Sequence, residues 1–81
     1  MILLLDFLKL FYEDNEIVLL CGLHCPYIGK IADFRNNNLY SVYGEYIVDY
    51  CSVDRVFLLP VEDSYNRLII HLKGDESDEH L

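Results

Sequence analysis

Arg55-Val56-Phe57-Leu58-Leu59-Pro60-Val61, then Glu62-Asp63-Ser64-Tyr65-Asn66, then Arg67-Leu68-Ile69-Ile70-His71-Leu72-Lys73, is the stretch that decides the fold. Two runs rich in aliphatic, β-branched and aromatic residues flank a short polar loop, the pattern of a β-hairpin. The second run alternates: Leu68, Ile70 and Leu72 fall on one face, and Arg67, Ile69, His71 and Lys73 on the other. The first run is apolar on both faces, which predicts the more central strand. Pro60 has no N–H to give a ladder, so it is expected at a strand end or a bulge.

Upstream, residues 4–13 read as a helix. Asp6, Lys9 and Glu13 form a polar stripe, with Leu5, Leu8, Phe11 and Tyr12 opposite and Phe7 and Leu10 on the flanks. Residues 16–22 predict a short strand, 23–26 a turn and 27–33 a returning strand. Asn36-Asn37-Asn38 breaks regular structure, because Asn side chains compete for backbone hydrogen bonds. Residues 39–51 suit two structures. As a helix, which we favour, Ser41, Glu45, Asp49 and Ser52 line a polar face, and Tyr40, Tyr43, Ile47 and Tyr50 an apolar one. As a strand, the aromatic and β-branched content fits equally, but Glu45 and Asp49 share a face with Ile47 and Cys51. The expected fold is α+β: a small antiparallel sheet of about four strands with an N-terminal helix and a second short helix, in the order α-β-β-α-β-β. Residues 1–73 read as one domain, and the acidic tail 74–81 as disordered.

Hydrophobic residues make up 53% of the 81, so the body has the means to fold. Net charge is −8, and residues 1–73 hold ten of the fourteen acids against all six Lys and Arg. That balance argues against direct nucleic-acid binding, which needs clustered bases, and suits a basic protein surface. Met1-Ile2-Leu3-Leu4-Leu5 is too short for a membrane span, is interrupted by Asp6 and Lys9, and lacks the flanks of a signal peptide. Together with an odd count of three Cys, this leads us to expect a reducing cytoplasmic setting.

Three kinds of chemistry are within reach of these residues. Cys21, His24 and Cys25, with Cys51 or His71, supply enough soft ligands for tetrahedral zinc, but the spacing is not that of a zinc knuckle, and we expect no metal and no cofactor. Cys25 with His71, or Cys51 with His24, would make a nucleophile–base pair, yet neither has a flanking signature, and no catalysis is expected. The aromatic series is the stronger feature. Tyr40, Tyr43, Tyr46 and Tyr50 cannot all be buried by one helix, and an exposed ring beside Glu45 and Asp49 would form an acidic, aromatic patch. With Asp54, Glu62 and Asp63, these residues form the expected partner-binding set.

At Asp6-Phe7-Leu8, at Tyr27-x-Gly29-Lys30-x-x-Asp33-Phe34 and at Leu68-Ile69-Ile70-His71-Leu72, the chain resembles small acidic proteins encoded by phages and prophages of Gram-positive bacteria. The resemblance implies a short N-terminal helix, a strand pair, a variable middle and a closing strand. Some proteins of this kind are anti-CRISPRs, which bind a Cas nuclease and block its access to nucleic acid. The expectation is therefore a non-enzymatic interaction module of the anti-CRISPR type, whose carboxylates stand in for phosphates on a basic nucleic-acid-binding surface. Two alternatives stay open: a self-assembling small phage protein acting as a homodimer, and a small zinc- or thiol-dependent protein.

Overall fold

The computed structural model describes residues 1–73; the tail expected to be disordered, 74–81, lies outside the described residues. The elements are α1 (Leu4–Leu8), β1 (Glu16–Cys21), β2 (His24–Lys30), α2 (Ile31–Arg35), α3 (Asn38–Tyr43), β3 (Val48–Val56), a single 3-10 turn (Val61–Asp63) and β4 (Tyr65–Leu72). The class is α+β. The strands form one sheet in the order β2-β1-β4-β3. β1–β2 and β3–β4 are antiparallel hairpins, and they meet through a parallel pair, β1 with β4. The sheet is thus mixed rather than wholly antiparallel.

Alternation builds the core. Ile17, Leu19 and Cys21 of β1 lie opposite Leu68, Ile70 and Leu72 of β4, and Cys51 lies opposite Ile70. Leu4 and Leu8 of α1, and Ile31 and Phe34 of α2, close over this face. Phe34, Leu4, Leu8, Ile17, Leu19, Ile31 and Ile70 have no accessible surface. The other face of the sheet carries Glu16, Val18, Leu20, Ile69, His71 and Tyr50.

Several elements differ from their sequence readings, each for a local reason. α1 ends at Leu8 because the following amides bond three residues back instead of four: Lys9 N–H to Asp6 O, Leu10 to Phe7 and Phe11 to Leu8. Residues 13–15 are then drawn away: Ile31 N–H bonds Asn15 O, and Ala32 N–H bonds Glu13 O. Those carbonyls cap α2, a helix of five residues with no side-chain cap of its own. From sequence its residues extend the strand, because so short a helix shows no period and its capping groups come from a distant turn. The β1–β2 turn is Gly22-Leu23. Gly22 has φ 62°, while Leu23 keeps a negative φ, as a two-residue hairpin loop of type II′ requires.

Residues 39–51 divide between their two readings. The Asn breaker holds, and the Asn37 side chain caps α3 by accepting from Leu39 N–H at 2.9 Å. The helix stops at Tyr43. There the chain turns to meet the N-terminus: Leu5 N–H bonds Gly44 O, Leu4 N–H bonds Tyr46 O and Val48 N–H bonds Ile2 O. From Val48 the same stretch is strand. The strand ends at Val56, so Phe57–Val61 is connection, and β3 is an edge strand with β4 inside it.

Two substitutions test this packing. Ile70→Ala is expected to lower stability by about 2–5 kcal/mol in chemical denaturation, since the side chain is fully enclosed; near-wild-type stability would place Ile70 on the other face. Gly29 has φ 156°, and a Cβ there would sit 2.6 Å from the Tyr27 hydroxyl oxygen. That hydroxyl is held by donating to Lys30 O at 2.8 Å. Gly29→Ala should therefore cost about 1–3 kcal/mol from the backbone alone, measured the same way.

Candidate functional site: the β3–β4 arm

Past the first residues of β1, the β3–β4 hairpin has no neighbouring strand. Ile17 is the first residue of β1 in register with β4, opposite Leu68. Asn66 and Tyr65, their partners Arg55 and Val56, and the connection 57–64 run beyond it as an arm. The molecule is correspondingly elongated, 47 Å by 25 Å by 22 Å.

The end of the arm is apolar and uncovered. Phe57 is 76% exposed, Leu59 92% and Val61 61%, with Leu58 also exposed; Val53, opposite Leu68 where the arm leaves the sheet, is exposed too. The loop is nonetheless held in shape. Leu58 N–H donates to Ser64 Oγ at 2.9 Å, Asp63 N–H to Pro60 O at 3.0 Å and Ser64 N–H to Val61 O at 2.9 Å. The Arg55 guanidinium lies 6.0 Å from the centre of the Phe57 ring, within cation–π range. Glu62 and Asp63 flank the apolar residues, exposed and without an ion pair among the described residues.

The root of the arm is polar and self-satisfied. Arg67 Nε donates to Asp54 Oδ2 at 2.8 Å, and Arg67 Nη1 lies 3.8 Å from Glu16 Oε2. The Tyr65 hydroxyl donates to Glu16 Oε2 at 3.0 Å, and that bond, ahead of burial and the Glu16 charge, raises its pKa above the ordinary tyrosine value. The bond to Asp54 likewise leads the upward shift at Arg67. Further along the same face, Tyr50 and His71 stack with ring centres 3.9 Å apart and planes 13° from parallel. Asp14, Asn15, Glu16, Lys30, Tyr65 and Asn66 line an open cleft of about 370 Å³ beside the root. It is broadly open to solvent, and its lining mixes the charged and amide groups of these residues with their apolar stems and the Tyr65 ring.

The expected partner-binding residues do not form one patch. Tyr40, Tyr43 and Tyr46 are half-buried against the core, with Tyr40 edge-on to Phe34 at 5.7 Å and Tyr43 4.9 Å from Tyr46. Of the four tyrosines, Tyr50 is the exposed one, at 56%. Glu45 and Asp49 are exposed beside the start of β3, Asp54 is tied to Arg67, and Glu62 and Asp63 are at the far end. At about 3.4 Å per residue, the hairpin separates Asp49 from its tip by more than 20 Å. The sequence does not mark Phe57, Leu58, Leu59 and Val61 as a site, because the run 55–61 reads as strand; Pro60 within it is the signal that demotes a strand reading.

Among the described residues, no group of three or more His, Cys, Asp or Glu is placed to hold a metal ion. β2 and β3 are opposite edges of the sheet, which separates His24 from Cys51; β1 stands between Cys25 and His71. No polar or charged side chain among the described residues is fully buried. No helix among them is long and apolar enough to cross a membrane. Comparison with protein-family models, with curated proteins and with solved structures returns no match.

Cys25 is exposed, whereas Cys51 is half-buried and burial pushes its thiol pKa up. The thiolate is the reactive form. A thiol reagent at neutral pH should therefore label Cys25 well before Cys51, read by peptide mass spectrometry over time; equal rates would show that Cys51 does not face the helix layer.

Proposed function

We propose that this chain is a non-enzymatic protein-binding module, and that the β3–β4 arm is its contact element. One observation carries the reading: a loop of four exposed apolar side chains, Phe57, Leu58, Leu59 and Val61, held by internal hydrogen bonds and bordered by the unpaired carboxylates of Glu62 and Asp63. A fixed apolar projection with an acidic border matches the anatomy of an interface, in which a few apolar anchors enter pockets and charges at the rim steer approach. The acidic balance of the chain selects a basic partner surface. In the sharper form of the proposal that surface is the nucleic-acid-binding groove of a Cas nuclease, blocked as an anti-CRISPR blocks it, in a bacterial cytoplasm.

The test is capture from a bacterial lysate on immobilised protein, followed by association kinetics with the purified partner. A basic partner is expected, with an on-rate that falls steeply as salt screens charges beyond about 8 Å. Glu62→Lys with Asp63→Lys should slow association, and Leu59→Ser should mainly speed dissociation, as loss of an anchor does. An acidic partner, or binding indifferent to salt and to these changes, would sink the reading. Nucleic-acid cleavage by a purified Cas nuclease, unchanged by an excess of the protein that has bound it, would remove the sharper form alone.

A further inference from the structure

The helices cover one face of the sheet, and the other face is open among the described residues. Its rows follow from the register. Lys30, Glu16, Arg67 and Asp54 make one row across β2, β1, β4 and β3. Ile28, Val18, Ile69 and Ser52 make the next, and Leu20, His71 and Tyr50 the third. Val18 is buried, yet it stands outside the cluster that the helices close over. Leu20 and Ile69 are half-buried, and Ile28 is 58% exposed. The two central strands are therefore apolar on both faces, Ile17-Val18-Leu19-Leu20 in β1 and Leu68-Ile69-Ile70 in β4. That is the pattern of strands in a sheet covered on both sides.

We propose that the missing cover is a second copy of the chain, stacked face to face about a two-fold axis that runs parallel to the strands between β1 and β4. Such an axis lays each row on itself in reverse order. Lys30 then faces Asp54 of the second copy and Glu16 faces Arg67, each pair occurring twice, so opposite charges meet along the whole row. Lys30 forms no ion pair among the described residues, and the Asp54 side chain, although bonded to Arg67, is still 38% exposed. In the next row Val18 faces Ile69 and Ile28 faces Ser52, which sets the apolar groups at the centre of the contact. The two-fold axis perpendicular to the strands fails on the same rows: it lays Glu16 on Leu20 and Arg67 on His71, charge against groups that cannot pair with it. The charged row holds two cations and two anions. A partner of one sign meets like charge at every second position, whereas the second copy offers the same alternation in reverse. The tail 74–81 is a poor cover, since it holds four acids and no Lys or Arg and would lay them against Ile28, Val18 and Ile69. Stacked sheets lie about 10 Å apart, and the helices of both copies stay on the outside. This inference is independent of the role proposed for the arm tip.

Molar mass in solution, by sedimentation or light scattering, tests it together with cross-linking. The wild-type protein should have twice the 9.5 kDa mass of the chain. Ile28→Asp should give the single-chain mass with an unchanged circular-dichroism spectrum, since the side chain is exposed in the single chain and the new charge enters the apolar row. Leu59→Ser should keep the doubled mass, which separates this contact from any made by the arm tip. A carbodiimide joins an amine directly to a carboxylate in contact with it. In the unsubstituted protein it should link Lys30 to Asp54 in the two-chain product, read by peptide mapping. Within one chain these residues lie on opposite edge strands, three strand spacings or about 14 Å apart, so the link arises between copies. A wild-type protein of single-chain mass at every concentration overturns the proposal. So does a doubled mass that survives Ile28→Asp or is lost in Leu59→Ser, or a two-chain product without the Lys30–Asp54 link. A link from Lys30 to an acid of 74–81 within one chain overturns it in favour of the tail.

Discussion

The parallel pairing of β1 with β4 is the constraint on which the remaining structure depends. It joins residues roughly fifty apart in sequence, Ile17 with Leu68 and Leu19 with Ile70, and so makes one sheet out of two hairpins that would each be marginal alone. Both strands are flanked on both sides, and both place their alternate apolar residues on the face that the helices cover. A chain of this size buries only about 60–65% of its unfolded surface, so the core must be concentrated where strands from both hairpins and two helices converge. Ile17, Leu19 and Ile70 are fully enclosed there.

That central pairing also determines what the helices do. Once β1 and β4 are adjacent, β2 and β3 are the edges, and residues 31–47 must carry the chain across one face from the first to the second. α2 and α3 make that crossing, and the turn at 13–15 and the segment at 2–4 supply the backbone partners that the short helices and the start of β3 lack. The helices are too short to be stable by propensity, and tertiary contact holds them.

This dependence explains which features were legible in the sequence. The alternation of Leu68, Ile70 and Leu72 sets the buried face of β4 because a period of two needs no context. β1 and the Asn36–Asn38 breaker were equally legible, the latter because its chemistry is local. The parallel neighbour of β4, the edge position of β3 and the existence of α2 were not, since each follows from contacts between distant segments. In residues 39–51 the local signals conflict: the helical spacing of Tyr40 and Tyr43 and the β-rich composition from Tyr46 onward are both real, and Gly44 is the point where the chain changes from one to the other. The candidate site was half legible. Its charge, and Tyr50, Glu62 and Asp63, came from composition and position; its apolar anchors were hidden because Phe57–Val61 looks like strand until the register shows that β3 has already ended at Val56.

An apolar share of 53% has two possible destinations in a small domain, the core or an interface, and the distribution of exposure separates them. Thirteen large hydrophobic residues are exposed among those described, and seven of them fall between Tyr50 and Tyr65. Scattered exposed hydrophobics are ordinary on any surface; a concentration on one projecting hairpin is what marks a contact surface. The same hairpin carries an open strand edge, broken by a bulge at Asp49, on one flank and the hydrogen-bonded apolar loop at its end. Its root, in contrast, is closed by the Asp54–Arg67–Glu16–Tyr65 network, which leaves few polar groups there for a partner to satisfy. The uncovered apolar surface of this molecule is therefore concentrated at the tip, where the apolar side chains of 57–61 meet the acidic border of Glu62 and Asp63 and no polar network competes with them.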